Sequence, residues 1–439
     1  MLRVVAGLLL LGRAAGGDVA VALGEAPGTR GQYFQNELQG VVDFLADYYN
    51  TSFSLTFHGP RAVYTAVAGV EDRVSGRLLA REDLIPLGSA TKPFTAAGVL
   101  RLAERGALGL GDRVAPYVDP WLRRDLGATF VELYGAGAAN ITILELLTMR
   151  GGLQDYDDAR YQNKTFRGEE YVPTAVVGDA PHDLHCAPGA CGVYSSVGYL
   201  LLGLAAATAV NLSDWRALDQ GALAFGGDPG PGLAFPVRGA CADVPGVVHQ
   251  YATRVGNGTY GWFDVIGDSC LNAWTAGNVA ATTRDLARFW HRLFDGTLLS
   301  ASSLAAMTSF EPLTWGWFPG LEYGAGLMAQ AWAAANGTQR LRRRAQRVRR
   351  PREHVLRRRE LQPLARGERL RQGLRRLLRL RPHPPRHQPG LPPPAVQARG
   401  RAGRRRAGPL PRHARVLSFS AFRGPRGRGP RRSSCARPR

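Results

Sequence analysis

Lysine is nearly absent from this chain: Lys92 and Lys164 are the only two, against 54 arginines in 439 residues. With 16 serines, a serine three residues ahead of a lysine is expected by chance roughly 0.07 times. Long apolar runs are missing too. Beyond the N-terminal segment no stretch reaches 18 apolar residues, which excludes an ordinary membrane-spanning helix. The apolar stretch Tyr199 to Val210 suffices only for a buried helix. Cysteine is scarce, with five in all, and no spacing among them resembles a zinc site. No metal and no cofactor is expected. The last 100 residues contain no Asp, Lys, Asn, Ile, Met, Thr, Trp or Tyr, which excludes a packed core there.

The formal charge of +21 is not spread evenly. Residues 340–439 hold 33 arginines and three glutamates, a net +30, and residues 1–339 carry −9. The body is mildly acidic and the tail extremely basic. Reading the two as one object would wrongly imply nucleic-acid binding throughout.

The first 17 residues read as a secretory signal. Arg3 supplies the positive start, Val4 to Leu11 a short apolar core, and Ala14 to Gly17 the small residues of a cleavage site. Of nine asparagines, six lie in N-x-[ST] sequons: Asn50, Asn140, Asn163, Asn211, Asn257 and Asn336. About one sequon is expected by chance, so N-glycosylation in a secretory route is expected. Ordinary polar turns use the same residues. The cysteines suit an oxidising compartment. Cys186 and Cys191 bracket a tight Ala-Pro-Gly-Ala turn that a disulfide can close, and Cys241 and Cys270 can pair across a longer loop. Buried free thiols are the alternative. The expected location is outside the cell or in the secretory lumen.

Residues 18–35 read as a lead-in, 36–339 as a folded domain and 340–439 as a disordered tail. Apolar spacing predicts a helix over Gln35 to Tyr49. Phe53 to Phe57 and Val63 to Ala68 read as a hairpin around His58-Gly-Pro60. Helices follow from Pro93 to Gly106, from Ile141 to Arg150, from Tyr199 to Val210 and from Asp285 to Phe294. The third is apolar nearly all round and should be buried. This order implies an α+β protein, with helices packed on a sheet and forming a subdomain of their own.

Ser89-Ala-Thr-Lys92 sits where a loop enters a helix. Three residues is nearly one helical turn, so both side chains point the same way. A serine hydroxyl is a weak nucleophile until a base takes its proton, and a partly desolvated lysine can be that base. The plainer reading is a capping serine followed by a solvated lysine. About a hundred residues later Tyr194 stands at the edge of the apolar helix, where its phenol can act as a general base beside an ammonium. Ser196 can hold Lys92 or a substrate. Alternatively, Tyr194 packs as an amphipathic wall.

Four segments then resemble the β-lactamase-related serine hydrolases, the family of class C β-lactamases, D-Ala-D-Ala carboxypeptidases and related esterases. They are Leu87 to Ala96, Ile141 to Leu153, Pro188 to Gly203 and Ala276 to Phe289, in the family's order over roughly residues 37–335. The resemblance implies a β-lactamase/transpeptidase-like fold: an antiparallel sheet flanked by helices, plus a helical subdomain. It implies that Ser89 attacks a carbonyl to form an acyl-enzyme and that Lys92 and Tyr194 relay the proton. The Ser89 N–H would donate to the oxyanion.

The chain departs from that pattern twice. Ser196 stands where the family's Tyr-x-Asn motif has asparagine. No H-x-G or K-[ST]-G follows, although a strand carrying one should come soon after Leu321 to Leu327. Its loss would remove one oxyanion donor, about 10² to 10³ in rate. It would also leave the Phe53 to Gly69 hairpin without its sheet and its apolar face uncovered. The tail begins where that strand is expected, so it reads as an out-of-phase translation of a GC-rich gene. A true basic arm for nucleic acid or acidic surfaces, and a solvated spacer, are the alternatives. The expected function is a secreted serine hydrolase acting on amides or esters, including small peptides. A catalytically inactive secreted binding protein is the alternative. Nucleic acid becomes a partner only if the tail is a true translation.

Overall fold

The computed structural model describes residues 30–59, 61–156, 172–256, 259–267, 273–316 and 320–330. The signal segment, the tail, Asn163, Asn257, Asn336 and Cys270 lie outside the described residues.

Two helices form the centre. The first, Lys92–Glu104, follows a short 3-10 turn at Gly88–Thr91, with Pro93 in its first turn, where no backbone donor is lost. Every residue from Lys92 to Leu100 is buried. It ends as expected, with Gly106 at φ 71°. The second, Ser196–Ala209, is buried from Ser196 to Ala207 and carries no polar face, as its sequence implies. It begins three residues earlier than the apolar run suggests, which places Ser196 in its first turn. Gly203 lets it approach Thr275 and Trp274 closely: a Cβ there would lie 2.4 Å from Thr275 Oγ1.

The helix expected over Ile141 to Arg150 is shorter, Ile143–Leu147. A capping box starts it late: Thr142 accepts from the Glu145 N–H, and Glu145 caps the Thr142 N–H in return. Met149, at φ 59°, has left the helical region and ends it early. The Thr283–Phe294 helix matches its expected place, with Thr282 as its cap.

The hairpin forms as Phe53–His58 and Val63–Ala68, with Phe53 opposite Ala68 and His58 opposite Val63. It is not bare. The N-terminal helix, Arg30–Tyr49, packs on it and starts six residues before the boundary at 36. Gln35 and Gln39 donate to the carbonyls of Thr65 and Val67, and the Phe34 ring meets Phe57 at a tilt and Tyr64 edge-on. On the other side, Ser54 and Thr56 each bond Thr283. These contacts correct the expected uncovered face, although Phe57 stays half exposed. Pairing within the named sheets is antiparallel. A three-stranded sheet of Glu311–Pro312, Leu321–Tyr323 and Met328–Gln330 is the last described element. No helix among the described residues is long and apolar enough to cross a membrane.

Candidate active site

Ser89 lies in the 3-10 turn and is exposed, while Lys92 opens the following helix and is only 1% exposed. The turn is held by segment 276–281, which runs from a 3-10 turn into the short strand Ala280–Ala281. The Leu87 N–H donates to the Val279 carbonyl, and the Val279 N–H donates to Thr91 Oγ1. Thr95 Oγ1 donates to the Thr275 carbonyl at 2.6 Å. The Gly88–Thr91 turn is thereby tied on both sides before any side chain of the site is placed.

Lys92 Nζ has three oxygen neighbours: Ser89 Oγ at 3.2 Å, Ser196 Oγ at 3.2 Å and the Ala276 carbonyl at 3.0 Å. Two aromatic rings flank it, Tyr194 at 5.0 Å and Tyr199 at 5.7 Å from their centroids. Burying an ammonium is costly unless it is hydrogen-bonded, and this arrangement supplies three acceptors and two π faces.

Tyr194 precedes the central helix and is buried. Its N–H donates to the Trp315 carbonyl, in a short parallel bridge between Val193 and Trp315. Gly316, at φ 86°, packs on the Tyr194 backbone. The Tyr194 ring meets Tyr323 edge-on at 6.4 Å. Burial pushes the Tyr323 phenol well above its ordinary range and raises that of Tyr199 as well. Both rings therefore stay neutral and serve as walls. Tyr199 donates to the Leu147 carbonyl at 2.8 Å.

Ser89, Lys92, Tyr194 and Ser196, named from the sequence, thus meet at one place. Three further groups belong to it that sequence reading missed. The Ala276 carbonyl and the Tyr199 ring leave no signal in residue type. Asp155 does lie just past the Ile141 to Leu153 segment, but nothing local marks it. Its Oδ1 accepts from the Ser196 N–H at 2.8 Å and from the Tyr156 N–H at 3.1 Å. Its Oδ2 lies 3.5 Å from Ser196 Oγ. Ser195 turns its own hydroxyl to the Gln154 carbonyl.

Cys186 and Cys191 form a disulfide, as their spacing suggested. Cys241 is disulfide-bonded as well. Asn50, Asn140 and Asn211 are exposed.

A family model described as Beta-lactamase matches residues 55–341. Protein flp of Staphylococcus aureus (strain MW2) is 35% identical over 121 residues, 27% of this chain and 22% of that protein. Penicillin-binding protein 4* of Bacillus subtilis (strain 168) is 28% identical over 153 residues, 34% of this chain and 30% of that protein. The matched region spans about a fifth to a third of the length of these relatives. Among solved structures, a D-stereospecific amidohydrolase from Streptomyces sp. has a TM-score of 0.55 at 24% identity, covering 69% of this chain and 84% of that one. A D-amino acid amidase from Ochrobactrum anthropi SV3 has a TM-score of 0.52 at 22% identity, covering 67% of this chain and 81% of that one. These two likenesses concern the fold. The family match runs over well more than half of the residues and includes Ser89, Lys92 and Tyr194, and the chain belongs to the Beta-lactamase family.

Proposed function

We propose that this protein is a secreted serine hydrolase that cleaves amide or ester bonds through an acyl-enzyme on Ser89. The observation that carries this reading is the exposed Ser89 hydroxyl 3.2 Å from a lysine that is itself 1% exposed. A plain capping serine with a solvated lysine would leave Lys92 in water. Lys92 takes the hydroxyl proton as Ser89 Oγ bonds to the carbonyl carbon. It returns that proton to the leaving group, and water then releases the acyl group. The Ser89 N–H, at the start of a helical turn, stabilises the oxyanion. Tyr194 walls the ammonium and assists the proton's passage.

Small amides are the substrate class to try first, because the amidohydrolase and amidase named above share this fold. The N-terminal segment supports secretion, and the sequons at exposed Asn50, Asn140 and Asn211 support glycosylation.

The test is a covalent serine probe, a fluorophosphonate, applied to the full chain expressed in secreting cells. Labelled protein is expected in the medium, its mass falling on N-glycosidase treatment. Labelling should vanish in Ser89→Ala, whose exposed site predicts an unchanged melting temperature. A folded wild-type chain that takes no label would sink the hydrolase reading.

A further inference from the structure

We propose that Asp155 is a positioning residue that sets the direction of the hydrogen bonds around Lys92. This rests on the reading of Ser89 as nucleophile and Lys92 as its base. The need for such a residue arises from Ser196.

To take a proton from Ser89, Lys92 must be a neutral amine with its lone pair aimed at Ser89 Oγ. Its two remaining N–H groups must then donate elsewhere. The Ala276 carbonyl, 3.0 Å away, only accepts and takes one of them. The other neighbour is the Ser196 hydroxyl at 3.2 Å, which can either accept or donate. If it donates, the Lys92 lone pair turns to Ser196, and Ser89 faces an N–H instead of a base.

Asp155 removes that choice. Its Oδ1 is occupied by the N–H groups of Ser196 and Tyr156, at 2.8 and 3.1 Å. Its Oδ2 faces Ser196 Oγ across 3.5 Å. A carboxylate only accepts, so the Ser196 proton is drawn towards it and the hydroxyl lone pairs face Lys92. A carboxamide oxygen at this position would accept from Lys92 with no such help. No proton travels along Ser196 or Asp155. The Ser89 proton passes to Lys92 and from there to the leaving group, while the carbonyl electron pair moves onto oxygen as the Ser89 Oγ–carbon bond forms.

Asp155 also caps the first turn of the central helix, and that structural role has to be separated. Asp155→Asn does so. Its Oδ1 still accepts both N–H groups, but its amide now donates towards Ser196 Oγ and reverses the hydroxyl. The second-order rate of fluorophosphonate labelling is expected to fall about tenfold or more in D155N. In an S196N background the same substitution should cost less than about twofold, because the accepting oxygen of a carboxamide, unlike that of a hydroxyl, carries no proton that can turn to Lys92. Equal losses in both backgrounds, no loss in either, or unfolding of D155N in both would overturn the proposal.

A readout independent of activity separates this from the hydrolase reading. In a Lys164→Arg chain labelled with [15N]lysine, Lys92 gives the only Nζ resonance. D155N should move that resonance farther in the Ser196 chain than in S196N. If the wild type takes no label but the resonance behaves so, the positioning role stands and the hydrolase reading falls. If the resonance moves equally in both, the positioning role falls.

Discussion

At the scale of the residue, the proposed mechanism asks different things of Ser89 and Lys92, and their exposure differs accordingly. Ser89 faces solvent, where a substrate can reach it, and Lys92 is withdrawn among oxygens and rings. Replacing Lys92 by methionine keeps the apolar stem and removes the proton carrier. Probe labelling by Lys92→Met is expected to fall about 10²- to 10⁴-fold. The near-UV circular dichroism should be retained, because no charge is left buried without a partner. Labelling at the wild-type rate would exclude Lys92 as the base. That Ser89 and Lys92 belong together was legible in the sequence, because three-residue spacing at a helix start is a local fact. Asp155 was not legible, because its meeting with Ser196 spans 41 residues and depends on how a loop meets the start of the central helix.

At the scale of the element, the central helix and the 274–281 segment hold the site between them. Gly203 allows the contact: a Cβ there would meet Thr275 Oγ1 at 2.4 Å and the Trp274 ring at 2.7 Å. Gly203→Ala is expected to destabilise the fold by about 1 to 3 kcal/mol through overpacking. It should also slow labelling beyond that loss, because Ala276, whose carbonyl holds Lys92, lies next to Thr275. Thermal melting and labelling rates, measured together, check both effects. The hairpin carries a second element-scale prediction. His58 lies against His291, ring centroids 4.4 Å apart. Burial, and then the charge of His291, lower its pKa from the ordinary 6.5. The unfolded chain therefore binds this proton first as pH falls. Stability from His58 is full above about pH 6.5 and is lost as pH drops through the lowered folded value. His58→Gln should flatten the fall in melting temperature between about pH 7 and pH 5. An unchanged acid slope would refute this. His249 works in the opposite sense: its hydrogen bond to Asp264 raises its pKa, so its contribution holds below about pH 6.5 and fades as pH rises through the raised value.

At the scale of the whole molecule, the abrupt change near Arg340 dominates the charge. The out-of-phase reading of the tail makes a direct prediction about the transcript. Another frame of the nucleotides following the Trp332 codon should encode an H-x-G or K-[ST]-G strand. If neither alternative frame does, that reading fails. The two central helices share one core with the Thr283–Phe294 helix, and the N-terminal helix packs on the hairpin.

The chain's own pattern pointed to the hairpin and the buried central helix, offered the Cys186–Cys191 pairing, and placed Ser89 one turn ahead of Lys92. Each rests on periodicity or spacing within a few residues, which the backbone reads locally. The tertiary structure alone decided that the Ala276 carbonyl joins Ser89 and Ser196 around Lys92, that Tyr199 joins Tyr194 as a wall, and that Asp155 stands behind Ser196. It also decided where helices end, as at Thr142 and Met149, and that an N-terminal helix covers the hairpin. Those outcomes depend on contacts between residues far apart in the chain. Such contacts form only when the core closes, and no local pattern in the sequence encodes them.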